Sequence, residues 1–169
     1  NAYYNFDESS GDLLNVAEDN GWVDAVTADG VVTGVTRSAT GQIGNAYSFG
    51  NSYVDSGNAD YVTIPVALYD AHETYGGYGI SLWVKLDSTA NGYYYAWYDA
   101  GTDRGFELWQ SSGGKYNIGI AQNHGIPSTT SYSTGDWTHI AYSYDENNTS
   151  QTNEMVMWIN GVQEYSVDI

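Results

Sequence analysis

An antiparallel β-sandwich is the fold this sequence predicts, and three observations carry the prediction. Asn160-Gly161 stands between two apolar runs, Met155 to Ile159 and Val162 to Val167, and supplies the two positive-φ residues of a two-residue type I′ hairpin. Ile80 to Leu86 alternates with a period of two: Ile80, Leu82, Val84 and Leu86 share one face, Ser81, Trp83 and Lys85 the other. Elsewhere short runs are separated by turn residues without a sustained helical period, so about eleven or twelve strands in two sheets are expected.

Taken in order, Ala2 to Phe6 reads as an aromatic strand, followed by the acidic turn Asp7 to Asp12. Leu13 to Ala28 reads as irregular structure without a helix, with Leu13, Leu14, Val16 and Trp22 tucked inward. Gly30 to Thr36 is a β-branched strand, and Thr40 to Asn45 is a glycine-bearing approach to the strand Ala46 to Phe49. Tyr53 to Asp60 is a loop, and Tyr61 to Ile64 a strand ended by Pro65, which cannot donate to a ladder. Val66 to Glu73 has the makings of a helical turn, and the glycines of Tyr75 to Gly79 break it before the Ile80 strand.

Tyr93 to Tyr98 is rich in aromatics, with Tyr93, Tyr95 and Trp97 on one face and Tyr94 and Tyr98 on the other by alternation. Arg104 to Gln110 opposes Phe106, Leu108 and Gln110 to Glu107 and Trp109, and Lys115 to Gln122 follows a turn. Asn123 to Gly135 reads as a long polar loop. Trp137 to Tyr144 places Trp137, His139, Ala141 and Ser143 on one face and Thr138, Ile140, Tyr142 and Tyr144 on the other. Asp145 to Asn153 has no apolar residue to bury and is expected to be a solvated loop.

A chain of 169 residues is most simply one domain, here 1–169, with no internal repeat or linker. Four Lys plus Arg against 21 Asp plus Glu give a formal charge of −17, which repels phosphate backbones and anionic membranes. Nucleic acid is therefore excluded as a partner class, and no apolar run reaches transmembrane length. The same charge attracts cations and suits a calcium-rich or saline setting, though a solvated acidic surface serving solubility is the plainer reading. Cysteine is absent, so there is neither a disulfide framework nor a thiolate metal site. Seventeen Tyr and 20 Gly with little Lys are the composition of exported or surface β-proteins, so an extracellular, cell-surface or virion-surface location is expected. The chain opens on Asn1 with no basic or apolar leader, as expected of a processed or partial chain. Asn147 and Asn148 head overlapping glycosylation patterns.

Six motifs in order then carry a family resemblance. They are Tyr4-Asn5-Phe6-Asp7-Glu8, Gly44 to Gly50, Asp60 to Pro65, Gly79 to Lys85, Gly135 to Ala141, and Met157 to Val162. Together they resemble the concanavalin A-like lectin/glucanase superfamily in its laminin G-like (LamG) jelly-roll form, across nearly the whole chain. The departure comes at the end, where such domains continue with a further strand; that closing C-terminal strand is absent from this sequence. The resemblance implies ligand binding on the concave sheet or its rim loops, to a glycan or surface protein, commonly with Ca2+. It also implies that Trp137 and His139 are structural, packed between sheets.

Two calcium placements are implied by the resemblance. A structural site would draw on Asp7, Gly41, Gly44, Asn45 and Asp168; a rim site would draw on Asp99 and Asp103. The same acids read equally as turn residues capping backbone amides. Glycan recognition points to Tyr93, Tyr95 and Trp97, completed by Arg104, Glu107 and Trp109, because large rings offer apolar faces with polar edges. In the plainer version those rings merely cover the sheet or a neighbouring subunit. A glycoside hydrolase would need two carboxylates flanking the scissile bond, and no strand shows the alternating acids of the superfamily's glucanases. The expectation is a non-catalytic carbohydrate-binding or adhesion module. The alternative is a structural protein of a filament, sheath or virion, joined by strand addition or homo-oligomeric assembly at the incomplete sheet edge.

Overall fold

The computed structural model describes residues 2–16, 29–50, 59–64, 77–88, 91–99, 104–120, 123–145 and 155–167. The chain divides into two compact units, Asn1–Tyr75 and Gly76–Ile169. The described residues are all-β, with twelve strands and no helix. The expectations for 17–28, 53–58, 65–76 and 146–153 lie outside the described residues.

In the first unit β1 (Val31–Thr33) pairs antiparallel with β4 (Tyr61–Thr63), and β2 (Thr36–Thr40) with β3 (Asn45–Ser48). The single strand expected over Gly30 to Thr36 is two, because Gly34 takes a φ of +77° and turns the chain between them. The strand expected at Ala2 to Phe6 does not form either. Phe6 takes a φ of +61°, outside the extended region, and the segment is tied down by single bonds instead of a ladder. Tyr3 N donates to Asn15 Oδ1 at 2.9 Å, Val16 N donates to Tyr3 O at 2.8 Å, and Leu13 bridges Gly30 in both directions. Leu13 is buried as expected, whereas Leu14 and Val16 are exposed: in an extended segment with Leu13 and Asn15 inward, their neighbours point out.

The second unit holds two four-stranded antiparallel sheets. One runs β12 (Val162–Val167), β11 (Met155–Ile159), β10 (Trp137–Asp145), β5 (Gly77–Lys85). The other runs β6 (Gly92–Asp99), β7 (Arg104–Ser111), β8 (Lys115–Ile120), β9 (Asn123–Pro127). Val84, Leu86, Ile140, Tyr142, Met155, Met157 and Ile159 from the first meet Phe106, Leu108, Tyr116 and Ile118 from the second in one buried cluster. Each such side chain contributes roughly 1.5–3 kcal/mol on full burial, so this shared layer holds the sandwich together.

The Asn160-Gly161 hairpin forms as expected, with φ values of 50° and 79°. Asn160 does more than turn the chain: its Oδ1 accepts His139 N at 2.9 Å and its own N donates to His139 O at 2.8 Å, pinning β10 beside the turn. Two expectations need correction. Strand β5 starts at Gly77, inside the glycines read as a break, because a long partner, β10, pairs with it as far as Asp145↔Gly77. Strand β9 lies inside what reads as a polar loop; ladder pairing to β8 orders it, with Ile126 its one residue packed against the core.

Candidate functional site

Along β7, Phe106, Leu108 and Gln110 point into the core, so Glu107 and Trp109 lie on the opposite face of their sheet. Register then selects their neighbours, since directly opposed residues share a face. Trp109 stands opposite Tyr93 on β6 and Asn117 on β8; Glu107 stands opposite Ala96 and Gly119. Tyr93 is 58% exposed, and its ring centroid lies 6.2 Å from that of Trp109 with a 36° tilt.

The Trp109 ring reaches over β8 and β9, where two glycines leave room for it. A Cβ at Gly119 would come within 3.0 Å of Cζ3, and one at Gly125 would overlap Cζ2 and Cη2. The outer edge of the six-membered ring therefore lies against the backbone of β8 and β9, and Trp109 as a whole is partly buried. The Glu107 carboxylate makes no hydrogen bond or ion pair among the described residues, leaving its oxygens open as acceptors. Lys115, at the far end of this face, has its ammonium engaged by Ser128 O and Thr129 O, both at 2.9 Å.

The expected alternation of Tyr93, Tyr95 and Trp97 does not hold. A bulge between Tyr93 and Tyr95 shifts the register, and Tyr95 pairs with the buried Leu108 and packs against the core. Tyr94 is also on the core side, donating to Gln110 Oε1 at 2.5 Å, while Gln110 Nε2 donates to Ser88 O at 2.7 Å. Burial raises the pKa of both hydroxyls, for Tyr94 with a smaller contribution from Tyr116, so both rings stay neutral. Tyr95 thus leaves the exposed set, and Tyr93 and Trp109 remain. The backbone of Trp97 pairs with Phe106 and that of Arg104 with Asp99; the side chains of Trp97, Arg104 and Asp99 lie outside the described part.

On the other sheet, Thr138, Ile140 and Tyr142 are the buried residues of β10, so Trp137 and His139 lie on the face turned from the core. The expectation that they pack between the sheets is corrected by strand parity. His139 sits against Trp83, ring centroids 5.1 Å apart, and its Nε2 is 2.8 Å from Ser81 Oγ.

In the first unit the structure brings together four of the residues implied for a structural calcium site. Asp7 Oδ1 accepts Asn45 N at 2.7 Å, and a Cβ at Gly44, where φ is +62°, would stand 2.7 Å from the same oxygen. A Cβ at Gly41 would stand 2.6 Å from Asn45 O. The two glycines thus let the turn close on the carboxylate. One carboxylate beside backbone carbonyls is hard-oxygen chemistry that fits calcium in kind. No cluster of three acids or histidines gathers there among the described residues, and Asp7 already caps a backbone amide as a turn residue does. Asp103 and Asp168 lie outside the described residues.

Sequence reasoning missed Gly119 and Gly125, which emerge only once register places them under Trp109. It also missed Glu164 on β12, whose carboxylate gathers Thr129 N at 3.0 Å, Thr130 N at 3.3 Å, Thr129 Oγ1, and Tyr132 Oη at 2.7 Å.

This two-sheet architecture and its sequence agree with comparison. The Laminin_G_3 family model, described as concanavalin A-like lectin/glucanases superfamily, matches residues 56–169, and the chain belongs to that family. Among solved structures it is similar to domain 4 of AbnA, a GH43 extracellular arabinanase from Geobacillus stearothermophilus, in complex with arabinotriose. The TM-score is 0.55 at 18% identity, over 84% of this chain and 69% of that one, a likeness of fold. No curated protein matches the chain.

Proposed function

We propose that the chain is a non-catalytic carbohydrate-binding or adhesion module, acting outside the cell or at a cell or virion surface, with its ligand on the Tyr93–Trp109 face. The observation that carries this reading is the indole of Trp109, accommodated by Gly119 and Gly125 and extended by the exposed ring of Tyr93. A pair of neighbouring aromatic rings with a carboxylate beside them suits the face and hydroxyls of a sugar ring, and it is already held in place before any ligand arrives. The fold-level likeness to an extracellular arabinanase domain described with arabinotriose supports the same class of partner. Glycoside hydrolysis takes two carboxylates, and the described side chains of this face offer one, Glu107. Calcium, held through Asp7 and the Gly41–Asn45 turn, would stiffen the first unit.

The test is affinity electrophoresis against a panel of soluble polysaccharides. Trp109→Ala is expected to lose about tenfold or more in affinity while keeping the wild-type circular dichroism spectrum, with some fall in melting temperature from the lost packing of the partly buried ring. Undiminished binding by the variant would overturn the assignment of the face.

The edge position of β12 favours a second reading, in which the module joins a surface assembly. Among the described strands β12 pairs with β11 alone, leaving a row of backbone groups for strand addition by another chain. Sedimentation velocity over a wide concentration range checks it: assembly without glycan binding favours this role, and a persistent monomer excludes it.

A further inference from the structure

We infer that the Trp109 face selects uncharged polysaccharides, with the Glu107 carboxylate accepting hydrogen bonds from ligand hydroxyls beside the stacked ring. This deepens, and rests on, the reading of that face as a saccharide platform. Glu107 and Trp109 are two positions apart on one side of β7, roughly 7 Å along the strand, so a ring stacked on the indole brings its substituents toward the carboxylate. Glu107 has no partner among the described residues, and a half-buried carboxylate with both oxygens open is a strong acceptor for neighbouring hydroxyls.

The charges on the face decide the ligand class. An acidic or sulfated glycan stacked on Trp109 would bring its own anions to Glu107 in a chain of net charge −17. The one described cation of the face, Lys115, is turned to the 128–129 carbonyls and held by two hydrogen bonds. An anionic polymer would have to break that arrangement to gain a counter-charge, whereas a neutral polyol needs only stacking and acceptors. Binding is therefore expected to vary little with salt, since no counter-ions are displaced.

The experiment is affinity electrophoresis and calorimetry on the whole chain, using arabinan, mannan and β-glucan as neutral probes and polygalacturonate, alginate and heparin as anionic ones, at low and high salt. The wild type is expected to bind at least one neutral polymer with little salt dependence and to show no comparable affinity for the anionic three. Glu107→Gln keeps the ring platform and is expected to weaken neutral binding roughly fivefold. Glu107→Lys is expected to lose that binding and to acquire salt-sensitive affinity for polygalacturonate. If the wild type binds an anionic polymer as tightly as any neutral one, and Trp109→Ala abolishes that binding, the selectivity inference fails and the platform stands. If no polymer is retained by the wild type, platform and selectivity fall together.

Discussion

A methyl group at position 125 would occupy the space now filled by the edge of the Trp109 indole. The obstructing atoms are the far end of a side chain, so the ring can tip while the strand stays where it is. Gly125 does not need a positive φ, and alanine is therefore tolerated by the backbone. Gly125→Ala is expected to leave the circular dichroism spectrum and melting temperature near wild type and to weaken polysaccharide binding severalfold. Unchanged affinity would mean that the position of the ring over β9 is irrelevant to its use. The same scale separates Tyr93 from Tyr95. Both were legible as tyrosines of one aromatic strand, yet one extra residue in the ladder turns Tyr95 to the core beside Leu108 and leaves Tyr93 beside Trp109.

At the scale of elements, the segment 128–132 is held from two sheets at once. Ser128 N donates to Tyr116 O at 2.7 Å, and Tyr132 N donates to Gly114 O at 2.8 Å, fastening it to β8 and the turn before it. From β12, Glu164 gathers the hydrogen bonds of Thr129, Tyr132 and Thr130 onto one carboxylate. Those bonds, with Thr129 foremost, pull the Glu164 pKa from its ordinary 4.5 down to about 2. A depressed carboxyl pKa contributes stability that is complete above about 4.5 and fades as pH falls from there toward about 2. Glu164→Gln is expected to lower the melting temperature at neutral pH and to flatten its decline across that acid window. A variant whose acid profile runs parallel to wild type would show that other carboxylates govern the transition. Because Glu164 is only partly buried, solvent screening keeps the effect modest and salt shrinks it further.

Strand β9 belongs to the same scale. Its residues, Asn123 to Pro127, lack the alternating apolar face that made β5 and β10 legible. Backbone pairing to β8 makes it a strand, and its glycine then serves as the floor under Trp109.

For the molecule as a whole, the proposed calcium site is the feature most open to direct measurement. Addition of calcium to chelator-treated protein is expected to raise the melting temperature by mass action, and Asp7→Asn to abolish most of the rise. A melting temperature indifferent to calcium in the wild type would leave Asp7 as a turn-capping acid and nothing more. The formal charge of −17 makes an ionic-strength control necessary, since salt alone relieves self-repulsion.

Local pattern sufficed to determine the all-β class, the apolar faces of β5 and β10, the Asn160-Gly161 turn, and the family to which the chain belongs. These follow from periods of two and from backbone angles that few residues adopt, so neighbouring letters encode them. Tertiary structure alone decided that Tyr95 faces inward, that Trp137 and His139 face outward, that Gly119 and Gly125 underlie Trp109, and that Glu164 fastens Thr129 and Tyr132. Each of these depends on which residue stands opposite which across a ladder or a sandwich. A shift of one residue in register exchanges the two faces of a strand, and nothing local in the sequence specifies that shift.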